Sequence, residues 1–168
     1  ELKWYRNAAE QGNTLAQVTL GKIYYYDKTV KRDLEAIKYL ELASEKDDSE
    51  ATFLLGNMYY NGEGVAQDNS KAIQLYKKAA ELGYNDAFNS LGNMYFYGKG
   101  VSQSYNKAKD YYLKSANCSD SQNNIGYMYY NALSFPQDYK LAFEWFLKAL
   151  EQDFAAATYH IAIMYERG

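Results

Sequence analysis

His160 and Cys118 are the only histidine and the only cysteine in the chain, and neither has the neighbours that proton transfer or nucleophilic attack requires. His160 stands in an apolar helical stretch with no adjacent ligand pattern, which predicts packing. Cys118 lies between Asn117 and Ser119 with no base nearby, so an inert free thiol is expected. One histidine and one cysteine leave little for a zinc site and exclude an internal disulfide framework. Gly62-x-Gly64 and Gly98-x-Gly100 have glycine spacing suited to a phosphate loop, but they follow helical patterns and no Lys-Ser/Thr pair comes after them. The run Glu45-Lys46-Asp47-Asp48 reads as a solvated connector. No enzyme, cofactor or metal site is therefore expected. The remaining chemistry is recognition by amides and tyrosines.

The chain has 168 residues, with 18 Lys+Arg against 21 Asp+Glu and a net charge of -3. That balance opposes a nucleic-acid partner, which calls for a basic excess or stripe. No window is apolar and long enough for a transmembrane helix, so membrane insertion is not expected. Twenty tyrosines suit half-buried positions on a thin structure, and a single proline suits a chain that is nearly all helix.

Those helices recur. Leu20-Gly21, Leu55-Gly56, Leu91-Gly92 and Ile125-Gly126 follow at offsets of 35, 36 and 34, and Ile161-Ala162 comes 36 residues later. Four residues before each pair stands a small residue: Ala16, Ala51, Ala87, Ser121 or Ala157. Three after each Gly (or Ala162) stands Tyr24, Tyr59, Tyr95, Tyr129 or Tyr165. This spacing falls on one face at a 3.6 period and defines helix A of each repeat. Helix B carries Ala36, Ala72, Ala108 and Ala142, each four residues ahead of Leu40, Tyr76, Tyr112 and Phe146. Ala43, Ala79, Ser115 and Ala149 follow three residues later.

Asp68, Ser104 and Asp138 are placed to cap helix B, with Asp33 as a displaced counterpart in the first repeat. The loops Gly62-Glu63-Gly64-Val65 and Gly98-Lys99-Gly100-Val101 join A to B, and Gly83 closes one B helix. Helix B of a truncated repeat is expected at 1–11, then A/B pairs at 14–26/33–46, 49–61/69–82, 85–97/105–116 and 120–131/139–152. A last helix A is expected at 155–167. Gly56, Gly92 and Gly126 sit mid-helix, where Gly costs roughly 1 kcal/mol against Ala. Their register predicts a close approach by a packed helix.

At this point the residues resemble the Sel-one-like repeat family, a tetratricopeptide-related group. The string Ala51-x3-Leu55-Gly56-x2-Tyr59-x2-Gly62-x-Gly64-Val65-x2-Asp68-x2-Lys71-Ala72-x3-Tyr76-x2-Ala79-Ala80-x2-Gly83 matches its signature nearly position for position. The third repeat departs at Ser104. The first reads Tyr25-Tyr26-Asp27-Lys28-Thr29-Val30 at the loop, and the fourth reads Ala132-Leu133-Ser134-Phe135-Pro136. Ordinary tetratricopeptide repeats are the alternative within the same fold. The resemblance implies an all-α, right-handed α-solenoid of antiparallel helix pairs, with the A helices lining a concave face. One repeat domain is expected over 1–168: the end of a truncated repeat at 1–13, full repeats at 14–48, 49–84, 85–118 and 119–154, and the first helix of a further repeat at 155–168. A natural chain continuing past both ends is expected, because the sequence opens inside a helical pattern and closes on an uncovered apolar helix.

With the packing positions removed, three columns of helix A are left for the groove. One residue after the recurring tyrosine stand Tyr25, Tyr60, Phe96 and Tyr130, either as groove-wall packing or as aromatic anchors for a bound peptide. After each Leu/Ile-Gly pair stand Lys22, Asn57, Asn93 and Tyr127. In related tetratricopeptide grooves, Asn and Lys on this face grip a peptide backbone or terminal carboxylate; the alternative is simple solvation. Phe53, Asn89, Asn123 and Tyr159, four positions earlier, complete the surface.

The expected function is a protein-interaction scaffold or adaptor that binds a protein or peptide partner. Family breadth points towards bacterial signalling or host interaction, including virulence. The alternative is a regulatory or targeting module of a longer, enzyme-bearing polypeptide. Self-association through exposed solenoid ends is a further expectation. Single-stranded nucleic acid stacked on the tyrosines is disfavoured by the acidic balance.

Overall fold

A computed structural model describes residues 2–27 and 32–167, the Arg167 side chain excepted. Lys28, Thr29 and Val30 of the first-repeat loop thus lie outside the described residues. Among those described there are ten α-helices and no strand: α1 (Leu2–Glu10), α2 (Thr14–Tyr26), α3 (Asp33–Ser44), α4 (Ser49–Asn61), α5 (Asn69–Glu81), α6 (Asp86–Tyr97), α7 (Tyr105–Lys114), α8 (Ser119–Tyr130), α9 (Tyr139–Leu150) and α10 (Ala155–Arg167). The chain divides into two compact units, Glu1–Ala87 and Phe88–Gly168.

Helix starts are set by short polar side chains. Asp68, Ser104 and Asp138 accept from the backbone N–H of Lys71, Lys107 and Leu141 at 2.9, 3.3 and 2.9 Å, as the sequence predicts. Asn13 and Asp48 cap α2 and α4 in the same way. Asp33 does not: it is the first helical residue, after Arg32, and no side chain caps α3. Its carboxylate instead adds negative charge to the first turn, where the helix dipole favours it.

Helices α3, α7 and α9 end two residues earlier than the periodicity suggests. In α3 and α9 the chain passes through a left-handed residue, Asp47 at φ 60 and Asp153 at φ 58, where α1 and α5 are followed by Gly12 and Gly83. Asp48 N–H then bonds Ala43 C=O, and Phe154 N–H bonds Ala149 C=O, closing the Schellman pattern. Asp47 lies in the exposed connector the sequence predicts, and its left-handed backbone also terminates α3.

The small-residue columns are buried. Ala51, Ala87, Ser121 and Ala157 on helix A, and Ala36, Ala72, Ala108 and Ala142 on helix B, are fully enclosed. Each mid-helix glycine lies under a helix-B side chain. A Cβ built on Gly56 would stand 2.8 Å from Tyr76 Cε1, one on Gly126 2.8 Å from Phe146 Cδ1, and one on Gly21 2.6 Å from Leu40 Cδ2. The close approach is therefore chiefly that of a large side chain seated on the glycine.

Candidate functional site

In the first unit the predicted residues are largely engaged. Lys22 Nζ pairs with Glu50 Oε1 at 2.7 Å, and that bond raises its pKa. Phe53 packs between the rings of Tyr76 and Tyr84, at 5.6 and 4.7 Å between centroids. Asn57 Oδ1 accepts from Tyr76 O–H at 2.8 Å, and its Nδ2 donates to Tyr25 O–H at 3.4 Å. Burial pushes the Tyr76 and Tyr25 hydroxyls above their ordinary pKa, so both remain protonated near neutrality, Tyr76 as the donor and Tyr25 as the acceptor. Tyr60 is half-buried on α4.

The second unit repeats this clamp. Asn93 Oδ1 accepts from Tyr112 O–H at 2.7 Å and from Asn124 Nδ2 at 3.2 Å. Asn89 Oδ1 accepts from Ser121 O–H at 3.1 Å and from Asn124 Nδ2 at 3.3 Å. Asn57 and Asn93, both half-buried, are thus not idle. They tie helix A to the tyrosine covering the preceding glycine. Replacing Tyr112 by Phe keeps the ring and removes one buried donor. The expected cost is about 1 kcal/mol, read as a melting temperature lower by about 2–4 °C. An unchanged melting temperature would show that the clamp carries no energy.

The device lapses in the fourth repeat, where Phe146 has no hydroxyl and Tyr127 replaces the asparagine. Phe146 covers Gly126 and stacks on His160 with centroids 4.8 Å apart. Burial lowers the His160 pKa and keeps the imidazole neutral. Tyr127 is released outward, 38% exposed, with its ring centroid 6.1 Å from that of Phe96 and 5.8 Å from that of His160.

Two open cavities flank Tyr127 and His160. One, of ≈ 260 Å³, lies between Phe96, Tyr97, Tyr112, Asn123 and Asn124 on its remaining sides. The other, of ≈ 270 Å³, is bounded further by Tyr130, Asn131, Phe146, Tyr159 and Ile163. Of the predicted residues, Phe96, Asn123, Tyr127, Tyr130 and Tyr159 therefore come together here. Asn89 and Asn93 stand behind them, holding Asn124. Asn123 is only 8% exposed, and its Oδ1 is buried without a hydrogen-bond partner.

The sequence reading missed Tyr97 and Asn124, and left Tyr112 and His160 to packing. Asn124 and His160 share one column, immediately before Ile125 and Ile161, which is occupied by Thr19, Leu54 and Ser90 in earlier repeats. That change towards bulkier hydrogen-bonding groups was the available signal. Among the described residues there is no group of three or more His, Cys, Asp or Glu that could hold a metal ion. No described helix is long and apolar enough to cross a membrane.

The same organisation occurs in known proteins. A protective antigen of uropathogenic Escherichia coli displaying an SLR fold superposes with a TM-score of 0.88 at 33% identity, over 97% of this chain and 36% of that one. A Sel1 repeat protein from Oxalobacter formigenes gives 0.89 at 30% identity, over 98% and 66%. Among curated proteins, rat protein sel-1 homolog 2 is 43% identical over 77 residues, which are 45% of this chain and 11% of that protein. The Arabidopsis thaliana ERAD-associated E3 ubiquitin-protein ligase component HRD3B is 36% identical over 74 residues, 44% of this chain and 12% of that protein. These matches take in only about a tenth of either relative's length. The fold is the all-helical α-solenoid class of the two solved neighbours. Since the Sel1 repeat pattern matches residues 2–13, 14–48, 49–84, 87–120 and 119–154, the chain belongs to the Sel1 repeat family.

Proposed function

We propose that this chain, one of a family of generally non-catalytic protein–protein interaction modules, binds an extended segment of a partner protein on the helix-A face of its second unit. The observation that carries the reading is the pair of cavities sharing Tyr127 and His160 as a common wall. Two adjoining pockets on one helix face suit neighbouring side chains of one extended chain, since successive side chains of a strand-like peptide diverge. Exposed rings at Tyr127 and Tyr159 supply the anchors favoured at binding hot spots. In the first unit, Lys22, Tyr25, Phe53, Asn57 and Tyr60 form a smaller helix-A surface for the same partner class.

Two relatives fit this reading through their own names, one a component of a ubiquitin-ligase assembly and one a DAP3-binding protein. The short share of the relatives that is matched favours, as second reading, a targeting or regulatory module within a longer polypeptide. A bacterial host-interaction setting is proposed on the solved antigen.

The test is selection of binders from a displayed random-peptide library, followed by titration of labelled peptides. Tyr127→Ala/Tyr159→Ala should weaken binding at least tenfold while circular dichroism stays unchanged, because both side chains are exposed. Equal affinity for wild type and variant would remove the binding face from these cavities.

A further inference from the structure

We infer that Asn61 is a site of spontaneous covalent modification, losing its side-chain amide through a succinimide formed with Gly62, at a rate set by the folded end of α4.

The reaction consumes only water. The Gly62 backbone nitrogen attacks the Asn61 side-chain carbonyl carbon and forms the ring C–N bond. The bond from that carbon to Nδ2 breaks, and Nδ2 leaves as ammonia with the proton given up by the Gly62 amide. Water then opens the ring at either carbonyl, giving aspartate or isoaspartate. A side chain on the following residue crowds the attacking nitrogen, so asparagine before glycine is the most reactive pairing. Asn61-Gly62 is the only such pair in the 168 residues. At the equivalent helix ends Tyr26 and Tyr97 have no amide, and Asn131 is followed by Ala132. The fold itself calls for this glycine, since Gly62 ends α4 in the left-handed region at φ 73. Asn61, Gly62 and Glu63 are all exposed, so water reaches the ring.

The same helix end restrains the step. Asn61 is the last residue of α4, and the Gly62 and Glu63 N–H groups donate to Met58 C=O at 2.9 and 3.0 Å. A helical ψ at Asn61 holds the nitrogen away from the side-chain carbon, and its proton is already bonded. The loop beyond is pinned too: Gln67 Nε2 donates to Tyr60 C=O at 2.7 Å, and Asp68 N–H to Tyr59 C=O at 2.9 Å. Attack therefore waits on local opening of the last turn.

The products do not fit the closed form. Either one puts a carboxylate at the negative end of the α4 dipole, beside Glu63, whose Oε1 now accepts from Asn61 Nδ2 at 3.2 Å. Isoaspartate also lengthens the backbone by one methylene just ahead of a tight seat on α3. A Cβ built on Gly64 would stand 2.5 Å from Asp33 Cβ and 3.0 Å from Ile37 Cδ1. The modification thus loosens the junction between α3 and the α4–α5 loop.

The full chain is held at physiological temperature, at neutral and mildly alkaline pH, beside a urea-unfolded sample. Peptide mapping by mass spectrometry follows the amide-to-acid change at each asparagine. Folded chain should accumulate aspartate and isoaspartate at Asn61, faster at the higher pH and at least tenfold more slowly than unfolded chain. Asn131 should react at least tenfold more slowly than Asn61 in both samples. Gln67→Ala, with unchanged circular dichroism, should speed the folded-state reaction severalfold and leave the unfolded rate alone. Modified chain, separated by its added charge, should melt about 2–4 °C below fresh chain. Asn61→Asp should reproduce part of that shift. If Asn61 stays intact in folded chain, or reacts no faster than Asn131, there is no such site. Equal rates in folded and unfolded chain, or no effect of Gln67→Ala, would overturn control by the helix end.

Discussion

Gly92→Leu is expected to lower the melting temperature by about 6–12 °C, a loss of about 3 kcal/mol. Helix propensity argues the other way, since Leu is better than Gly in a helix interior by roughly 1 kcal/mol. Packing wins because the first added atom already has nowhere to go. A Cβ on Gly92 would stand 2.5 Å from Tyr112 Cδ1 and 3.1 Å from its Cζ. The ring cannot retreat: Tyr112 is 1% exposed, and its hydroxyl is tied to Asn93. Gly92→Ala should show the same sign at smaller size, about 1–2 kcal/mol. Removing the ring with Tyr112→Leu should make the Gly92→Ala penalty shrink, a coupling readable in a double-mutant cycle. A thermal scan of Gly92→Leu that overlays the wild type would show that the glycine column has some other cause.

Phe146→Ala is expected to cost about 4 kcal/mol, because truncating a fully buried ring loses both its transfer energy and its packing. Phe146 is 1% exposed, covers Gly126, and stacks on His160. The substitution should also weaken peptide binding under conditions where the protein is still folded, since Phe146 and His160 both border the second cavity. Denaturant titration gives the stability term, and peptide titration below the transition gives the other. Phe146→Tyr is the informative companion. In the second and third repeats a tyrosine at this position finds an asparagine after the glycine; here it would find Tyr127. The added hydroxyl should therefore cost about 1–3 kcal/mol alone, and less beside Tyr127→Asn. Full stability of Phe146→Ala would mean that the stack on His160 and the seat on Gly126 contribute nothing.

Much of the architecture was legible because repetition multiplies a weak signal. A single Gly inside a helix is ambiguous; Gly21, Gly56, Gly92 and Gly126 in register are not. The same logic placed the caps at Asp68, Ser104 and Asp138, where a side-chain oxygen meets a free amide a few residues away. It failed at Asp33, beside residues outside the described structure, and it was silent on Asp47, whose left-handed backbone within the exposed connector is a property of the chain path.

The columns themselves came from sequence alone: Asn57 with Asn93 and Tyr127, and Phe53 with Asn89, Asn123 and Tyr159, each lie one repeat apart on helix A. Spacing along one helix cannot say whether an amide is already satisfied, because its partner stands on another helix. Tyr76 and Tyr112 consume the carbonyls of Asn57 and Asn93 from about twenty residues downstream, and Asn124 bridges Asn89 and Asn93 from the next repeat. Asn123 differs in being buried with no partner at its oxygen. Only the tertiary structure separates the asparagines that tie helices together from Asn123, whose buried oxygen meets no partner, since hydrogen-bond satisfaction depends on three-dimensional neighbours rather than on residue type.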